Sequence, residues 1–502
     1  MLFRLRSTAF AAVVAAALTA GPAAAKDFCT LGVPGCDNTY AGVQPALDAA
    51  ALHDGPDRVL IGSGTWSGNF HANGATMIEG SGQLTVLTQY SYGGAVGDPF
   101  TLHVSGPGSG VRNLRIKLPA GDSPRGLWLD GGATAEDVKI DGAGAQHGIG
   151  IHLADARFSG DVTLPAGNIA GVVWAGGEIA NARLTGASAL RVHADTGTAT
   201  VHHSTLVGLG GSVVAAASGA LKIQDTLIDG RDPASGTAIS TFAQSPTALH
   251  TIDLRNVTVL GHGDDPQAPG IDARSFGSDE TVTVNVRDSV VAGFGSHALT
   301  RIGAGTANLN LDHVAVFPAS AVQESGAGVL TTSHLIDADP AFAADGFTPA
   351  PGSPLIDAGT PGPVDFGEPP LDLAGNPRVL AFGCGEARRD LGAIEAVGGC
   401  APPTPPNVNP TPPAGDALAP RVTKLRIVRR HAVRFTISET ARVTVRVSRP
   451  HHRAIVLRRA AKAGRVTLKL KRILRHGRYA IRVIAVDGAG NRSAPAVARR
   501  KI

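Results

Sequence analysis

The chain has 502 residues, with 64 glycines and only 4% aromatic residues. This composition favours many short strands joined by tight turns and excludes a helical bundle. Charge divides the chain into two parts, because 24 of the 45 Lys and Arg residues but only 2 of the 41 acidic residues lie from Leu418 onward. That part therefore carries a net charge near +22 and the rest a net charge near −18.

The first 25 residues have the pattern of an export signal. Arg4 and Arg6 precede a short apolar run, and the small residues Ala23 to Ala25 supply a cleavage site. The run is too short and too rich in alanine for a membrane anchor, and no later run of about 20 apolar residues follows it. We therefore expect a secreted or cell-envelope protein without a transmembrane segment.

The cysteines predict two disulfides. The four are Cys29, Cys36, Cys384 and Cys400. An even number in an exported chain, with one pair at each end of a long region, predicts Cys29–Cys36 and Cys384–Cys400 bridges. A metal site is the weaker alternative, because its ligands would have to converge from distant ends and no Cys-x-x-Cys is present.

A short helix is predicted near the start of the mature chain. The segment GVQPALDAAALHDG, residues 42–55, places Val43, Leu47 and Ala50 on one helical face. The strand patterns DRVLIGSGTW and ATMIEGSGQLTVLT follow this helix and begin a sheet.

One pattern then recurs from residue 111 to residue 318: an alternating apolar strand, a polar turn residue and another strand that often ends in glycine. The turn residues are Asn113, Asp137, Asn181, His203, Asp225, Asn256, Asp288 and His313. Their basic period is 20–25 residues, with insertions in two coils and a double unit after Asp137 that contains FSGDVTL. Such a period without helical segments predicts a solenoid of parallel strands stacked about 4.8 Å apart. The Leu-x-x-Leu-x-Leu frame of leucine-rich repeats is absent.

These repeats resemble the right-handed parallel β-helix of the pectin-lyase-like group. The resemblance covers roughly Asp37 to Glu395 and implies an all-β solenoid of about 10 coils. It also implies that the predicted helix caps the first coil and covers its open strand edges, which would otherwise invite aggregation.

A further strand precedes each turn pattern, and its alternation separates an inward from an outward face. The predicted inward residues are Leu127, Ile149, Val172, Leu190, Val213, Ile239, Ile271 and Leu299. In enzymes of this fold the substrate groove usually follows the outward face. Asp272 and Arg274 lie two residues apart on it, and the insertions beside them add Arg231, Asp232, His262, Asp264 and Asp265. This is the best candidate groove for a lyase, and an exposed polar patch is the alternative.

A second candidate lies earlier on the same face. The alignment of the coils puts Asp130 beside His152, with His193 two coils further along. A hydrogen-bonded surface pair is the alternative, because no third group is placed to orient the histidine. Asp130 and Asp272 are six coils apart, so they cannot form the carboxylate pair of an inverting hydrolase. The histidines show no two-His spacing on one strand with a carboxylate, so no metal site is predicted.

The segment after the last repeat resembles the closing segment of many bacterial β-helix surface proteins, the choice-of-anchor type. Its motifs are Asp339-Pro340-x-Phe342, Ser353-Pro354-x-Ile356-Asp357-Ala358-Gly359, Asp372-x-x-Gly375-Asn376-x-Arg378 and Asp390-Leu391-Gly392-Ala393-x-Glu395. We interpret Asp357 as a residue that caps the last coil rather than a catalytic group. Arg378 has Asp357, Asp372 and Asp390 as candidate partners.

The predicted organisation has four regions: a signal at residues 1–25, a β-helix at 26–400, a proline-rich linker at 401–417 and a basic module at 418–502. The module alternates Val and Ile with Arg, which indicates a half-buried sheet with its charges in solvent. Its ending, with Tyr479 as a corner tyrosine and then DGAGN, resembles a bacterial immunoglobulin-like or fibronectin-III-like domain. Its charge implies an anionic partner, and docking onto the acidic β-helix is the alternative.

Three functions remain in view. The leading one is extracellular or envelope-associated recognition of a polysaccharide or another anionic surface polymer. The second is a polysaccharide lyase or glycoside hydrolase acting along the groove, and the third is a structural or adhesive surface protein. We expect a monomer and no nucleic acid partner, because aromatic residues for base stacking are missing from the basic module. No cofactor is predicted, and calcium is expected only if the protein is a lyase.

Overall fold

The structure is a computed structural model, and it describes residues 25–89, 100–241, 249–263, 268–295, 297–318, 322–365, 367–380, 387–398, 420–428, 430–449, 452–470, 473–487 and 493–502. The chain divides into two compact units, Met1–Ala401 and Pro402–Ile502. The predicted export signal, apart from its last residue, and the predicted linker lie outside the described residues. No helix in the described ranges is long and apolar enough to cross a membrane.

The first unit is built almost wholly of strands. Its helical elements are α1, Val43–Ala51, and a 3-10 turn at Gly82–Leu84. Its strands are β1 Asp27–Thr30, β2 Asn38–Tyr40, β3 Asp57–Ile61, β4 Gly64–Ser67, β5 Phe70–Asn73, β6 Thr76–Gly80, β7 Thr85–Thr88, β8 Phe100–Ser105, β9 Gly110–Lys117, β10 Gly121–Asp122, β11 Arg125–Asp130, β12 Thr134–Asp141, β13 Ala145–Gln146, β14 Ile149–Ala154, β15 Arg157–Thr163, β16 Ile169–Val173, β17 Gly177–Ala180, β18 Arg183–Gly186, β19 Ser188–His202, β20 Thr205–Gly208, β21 Val214–Gly230, β22 Ile239–Thr241, β23 Leu249–Gly261, β24 Ile271–Ser275, β25 Thr281–Ala292, β26 Leu299–Phe317, β27 Val322–Ala327 and β28 Leu330–Ile336.

These strands pair in parallel with the strands of the coils before and after them, which confirms the predicted β-helix. They form three stacks. Stack 1 contains β5, β8, β11, β14, β16, β22, β24, β27 and the first residues of β19, β21 and β26. Stack 2 precedes the turn residue of each coil and stack 3 follows it, so the long strand β23, for example, contributes to both.

The turn between stacks 2 and 3 explains the sequence repeat. All eight predicted turn residues adopt a left-handed backbone, with φ between 45° and 58°. Asn, Asp and Gly tolerate this conformation best, and His is also enriched in it. In the coil that lacks such a residue, Gly160 lies at this turn with φ of 144°, and a Cβ there would lie 2.1 Å from the carbonyl oxygen of Val138.

The interior is a continuous apolar core closed at the N-terminal end by α1. Val43, Leu47 and Ala50 of this helix are buried against the core, as the helical pattern predicts. The disulfide Cys29–Cys36 forms beside it, with the two Cα atoms 6.1 Å apart. Cys384 and Cys400 lie outside the described residues, so their bridge stays a prediction.

The predicted register of stack 1 is wrong at three coils. Leu127 pairs with Ile151, not Ile149, so this coil is shifted by two residues. Leu190 pairs with Gly171 and Val214, so the predicted inward residues Val172 and Val213 are each displaced by one. The other predicted inward positions, Leu127, Leu190, Ile239, Ile271 and Leu299, are fully buried.

The closing segment, residues 337–398, packs along the outside of stack 3 rather than over the last coil. Its buried Leu355 and Leu391 form a second apolar cluster with Leu227, Leu260 and Val290 of the stack. The last strands, β27 and β28, are largely exposed instead. The interpretation of Asp357 as a cap of the last coil is therefore wrong: its backbone N–H donates to Asp390 Oδ1 at 2.7 Å, a bond within the segment.

The predicted partners of Arg378 are also wrong. Arg378 is fully buried and donates to Glu395 at 2.8 Å and to Asp225, one of the turn residues. Asp372 instead accepts hydrogen bonds from the backbone N–H groups of Asn376 and Glu395. Asp390 accepts those of Asp357 and Ala396. The segment is thus bonded to the turn residues of the coils that it crosses.

The second unit is a sandwich of two antiparallel sheets. One sheet has the order β29 Val422–Val428, β30 Ala432–Ile437, β33 Gly464–Lys469, and the other the order β32 His452–Ala461, β31 Ala441–Arg449, β34 Arg478–Asp487, β35 Ala496–Lys501. Phe435 of the first sheet and Val445, Tyr479 and Ile481 of the second share its core. The immunoglobulin-like assignment of this unit stays a prediction.

Candidate functional site on the outward face of stack 1

The outward face of stack 1 is set by simple alternation along its strands. In β11, Leu127 and Leu129 are fully buried. The residues that alternate with them, Trp128 and Asp130, are half-buried and face outward. Because each coil repeats this alternation, outward side chains of successive coils form rows along the β-helix.

One such row is aromatic. The strand register aligns His71 with His103, His103 with Trp128, and Trp128 with His152. The ring centroids of His103 and Trp128 are 4.2 Å apart at an interplanar angle of 6°, and those of Trp128 and His152 are 5.4 Å apart at 12°. Near-parallel rings at these distances stabilise one another by about 0.5–1.5 kcal/mol per pair.

Trp174 and His193 continue the row on the next coils. The ring of Trp174 lies 5.8 Å from that of His152 and 4.4 Å from that of His193. Trp174 is 43% exposed, which makes it the most accessible tryptophan of the face, whereas His193 is only 7% exposed. We call His71, His103, Trp128, His152, Trp174 and His193 the aromatic row. Two of the three tryptophans of the chain belong to it.

The structure does not bring Asp130 to His152. Asp130 Oδ2 accepts a hydrogen bond from His103 Nε2 at 2.9 Å instead. The predicted alignment of β14 with β11 is shifted by two residues, so Asp130 pairs in register with Ala154 rather than with His152. The ring of His152 instead stacks on Trp128. Sequence reasoning therefore found three residues of this face, Asp130, His152 and His193, but missed His103, Trp128 and Trp174 as their contacts. The recurrence of the scarce tryptophans two coils apart on one face, with His152 between them, was the signal that could have found them.

This arrangement suits binding rather than proton transfer. Stacked rings hold each other in place, so the exposed part of Trp174 is preorganised for a ligand that offers C–H groups and hydroxyls. Asp130, which lies beside the row, is held by His103.

The Asp272–Arg274 pair lies further along the same stack, and the two residues do share a face. Arg274 Nε lies 3.1 Å from Asp272 Oδ2, and its guanidinium also lies 6.0 Å from the centre of the Phe276 ring. Burial raises the pKa of Asp272, although the neighbouring Arg274 opposes this shift. The two charges neutralise each other, and Ser240 and Thr300 flank Asp272 in register.

The residues predicted to flank this pair are not assembled around it. Arg231 pairs with Asp229 at 2.8 Å and points to the closing segment, where its guanidinium lies 3.5 Å from the carbonyl oxygen of Asp345. Asp232 accepts the backbone N–H of Ala234 in a local turn, and His262 Nε2 contacts the carbonyl oxygen of Ser235 at 3.1 Å. Asp264 and Asp265 lie outside the described residues.

A histidine–carboxylate cluster on another face was not anticipated. Asp312, His313 and His334 have ligand atoms within 4.8 Å of one another and could hold a metal ion. Asp312 Oδ1 already contacts both Nδ1 atoms, at 2.9 and 3.1 Å, and Arg287 lies 3.7 Å from its other oxygen. The two histidines occupy turn positions of successive coils, so they are brought together by the period of the helix rather than by any short motif.

The predicted cap residues of the closing segment form a buried polar network. Burial raises the pKa of Asp390 to about 6 and that of Glu395 to about 9. Burial also raises the pKa of Asp357. The carboxyls of Asp390 and Glu395 are bonded by backbone N–H groups and, for Glu395, by Arg378. These contacts fix the segment to the β-helix and place none of the three carboxyls in an open cleft.

Comparison with known proteins gives little further guidance. No family model matches the chain, and no curated protein matches it. Among solved structures it is similar to the crystal structure of alginate lyase from Paenibacillus sp. str. FPU-7, with 14% identity and a TM-score of 0.37 over 62% of this chain and 98% of that one. At this TM-score the likeness carries no argument about the function of the chain.

Proposed function

We propose that this protein is an exported polysaccharide-binding protein whose β-helix binds a glycan chain along the aromatic row. The observation that carries the proposal is the partly exposed tryptophan of that row, Trp174, held between His152 and His193. One face of a pyranose ring presents C–H groups, which pack favourably on the negative face of an aromatic ring.

The repeat of the fold supports an extended ligand. Neighbouring coils are about 4.8 Å apart, which is close to the length of one sugar unit in an extended glycan. A chain that lies along the axis would therefore meet an aromatic or imidazole ring at each step from His103 to Trp174. The imidazole N–H groups and Asp130 offer hydrogen-bond partners for hydroxyls.

The test measures binding of neutral and uronic-acid polysaccharides to the full chain by affinity electrophoresis and calorimetry. We expect Trp174→Ala to weaken binding at least tenfold, because exposed tryptophans dominate such contacts. The matched control is Phe276→Ala, which removes a similarly exposed ring, 48% accessible, beside Arg274. Unchanged affinity of Trp174→Ala for neutral polysaccharides, which the cationic second unit has no charge to attract, would refute the proposal.

Polysaccharide cleavage near Asp272 is the second candidate function. A partly buried carboxyl with a raised pKa beside an arginine is typical of an acid or base catalyst. Catalysis by Asp272 predicts that the protein releases unsaturated or reducing ends from a polysaccharide and that Asp272→Asn loses this activity. If the reaction is a lyase reaction, it should require calcium. Binding without turnover would favour the first function over this one.

A further inference from the structure

The second unit contains a cationic cleft at one end of its four-stranded sheet. The cleft has a volume of about 530 Å³, and Ser448, Arg449, Arg478, Tyr479, Ala480, Arg499, Arg500 and Lys501 line it. No carboxylate lines it among the residues that the structure describes. Five of its eight lining residues are therefore cations with no acidic neighbour in the cleft.

Three strands bring these side chains together. The register pairs Ser448 of β31 with Ala480 of β34, and Arg478 and Tyr479 of β34 with Lys501 and Arg500 of β35. Arg449 lies at the end of β31 with its guanidinium 6.0 Å from the centre of the Tyr479 ring. The register thus gathers the cations at a single corner of the sheet.

The end of β35, which carries three of the five cations, is held in place. Gly477 and Ile502 exchange two backbone hydrogen bonds, of 3.0 and 2.9 Å, so the strand stays paired beyond Lys501. Gly477 also lets Arg449 approach the backbone closely, because a Cβ there would lie 2.7 Å from Arg449 Nε. A ligand would therefore meet cations whose backbone is already ordered, which reduces the entropic cost of binding.

The two acidic residues of this part of the chain lie at the other end of the same sheet. Asp487 pairs in register with Ala441, the first residue of β31, and Glu439 precedes that residue by two positions. Arg449, at the opposite end of the nine-residue strand, is about 27 Å away at the usual rise of a strand. This exceeds the screening length of about 8 Å at physiological ionic strength, so neither acid neutralises the cleft.

We propose that this cleft binds the carboxylate groups of an acidic polysaccharide. Guanidinium groups form paired hydrogen bonds to carboxylates, and several of them converge on this cleft. The cleft is a second site, in a different unit from the aromatic row, and it depends on charge where that row depends on ring contacts. It restricts the ligand of the second unit to uronic-acid polymers.

The test compares the full chain with a cleft variant, Arg449→Gln/Arg500→Gln, and a matched control, Arg442→Gln/Arg446→Gln. The control removes the same charge from two exposed positions of β31 outside the cleft. The probes are polygalacturonate, its methyl-esterified form and a linear polyphosphate, with Trp174→Ala as the background to silence the aromatic row. Affinity is measured by calorimetry at low and physiological salt, after circular dichroism has verified folding.

We expect the cleft variant to bind polygalacturonate at least tenfold more weakly, and the control variant to lose less than twofold. Binding of the Trp174→Ala chain to the esterified polymer should be far weaker and should respond little to salt. Equal losses in both variants would show that charge acts diffusely and would overturn the proposal. Tighter binding of polyphosphate than of polygalacturonate would overturn the choice of carboxylates. Because the aromatic row is silenced throughout, failure here leaves the proposed function of the β-helix untouched.

Discussion

Arginine has opposite roles in the two units. In the β-helix, Arg378 and Arg389 are fully buried and each bonds to carboxylates and to backbone carbonyls. In the second unit, Arg478, Arg499 and Arg500 are exposed around a cleft that contains no acidic residue among those described. The same side chain thus joins two segments of the fold in one unit and faces solvent in the other.

The exposed arginines, rather than the buried ones, are therefore the candidates for ligand binding. A buried guanidinium whose partners lie inside the protein is not accessible to a ligand. Its removal leaves those buried partners without their counter-charge, which is unfavourable. An exposed guanidinium among like charges contributes little to folding but much to the attraction of an anion. The comparison makes three predictions about stability.

The largest effect is expected for Arg378→Ala. It leaves Asp225 and Glu395, both fully buried, without their cation, and loss of one member of a buried ion pair costs about 3–5 kcal/mol. We expect chemical denaturation of the β-helix unit to show this loss. The control is Arg157→Ala, whose side chain is 74% exposed beside Glu178 and should cost no more than about 1 kcal/mol. Similar losses in both variants would break the comparison.

The buried site of Arg378 also shows the limits of sequence reasoning. Arg378 and Asp225 are separated by 153 residues, and no local pattern links them. The predicted partners Asp357, Asp372 and Asp390 instead come from the motifs of the same closing segment. The turn residues, in contrast, could be predicted one by one, because each left-handed turn needs Asn, Asp, His or Gly at a fixed phase of the repeat.

The register errors have equally specific causes. Ile149, Ile151 and Leu153 alternate with a period of two, so a shift by two residues leaves the apolar pattern unchanged. Val172–Val173 and Val213–Val214 are pairs of apolar residues, so the sequence does not distinguish the inward member from the outward one. The aromatic row was obscured by the first of these shifts, since it depends on Trp128 facing His152.

A smaller effect is expected from pH at Asp390. Its pKa is raised to about 6 from an ordinary value near 4, so between these pH values the folded protein retains a proton that the unfolded chain releases. Stability from this group is therefore greatest below about pH 4 and falls as the pH rises to about 6, by at most about 3 kcal/mol. Asp390→Asn cannot titrate, so the difference in melting temperature between wild type and variant should change across this range. A constant difference from pH 4 to pH 7 would contradict the assignment.

The smallest effect is expected for Arg442→Gln/Arg446→Gln in the second unit. Both arginines are exposed on β31, and the segment from Leu418 carries 24 basic residues against 2 acids, so removing two positive charges relieves repulsion. Exposed substitutions of this kind change the free energy of unfolding by within about 0.5 kcal/mol, and here the sign should be slightly stabilising. Added salt should reduce the gain by screening the same repulsion. Chemical denaturation at low and high salt measures both.

A loss above about 1 kcal/mol would show that these arginines support the fold, as Arg378 does, and would remove the contrast between the two units. A small gain that salt abolishes would show that the charges of the second unit are kept at a cost to its stability, which is the expected property of a surface selected for an anionic partner.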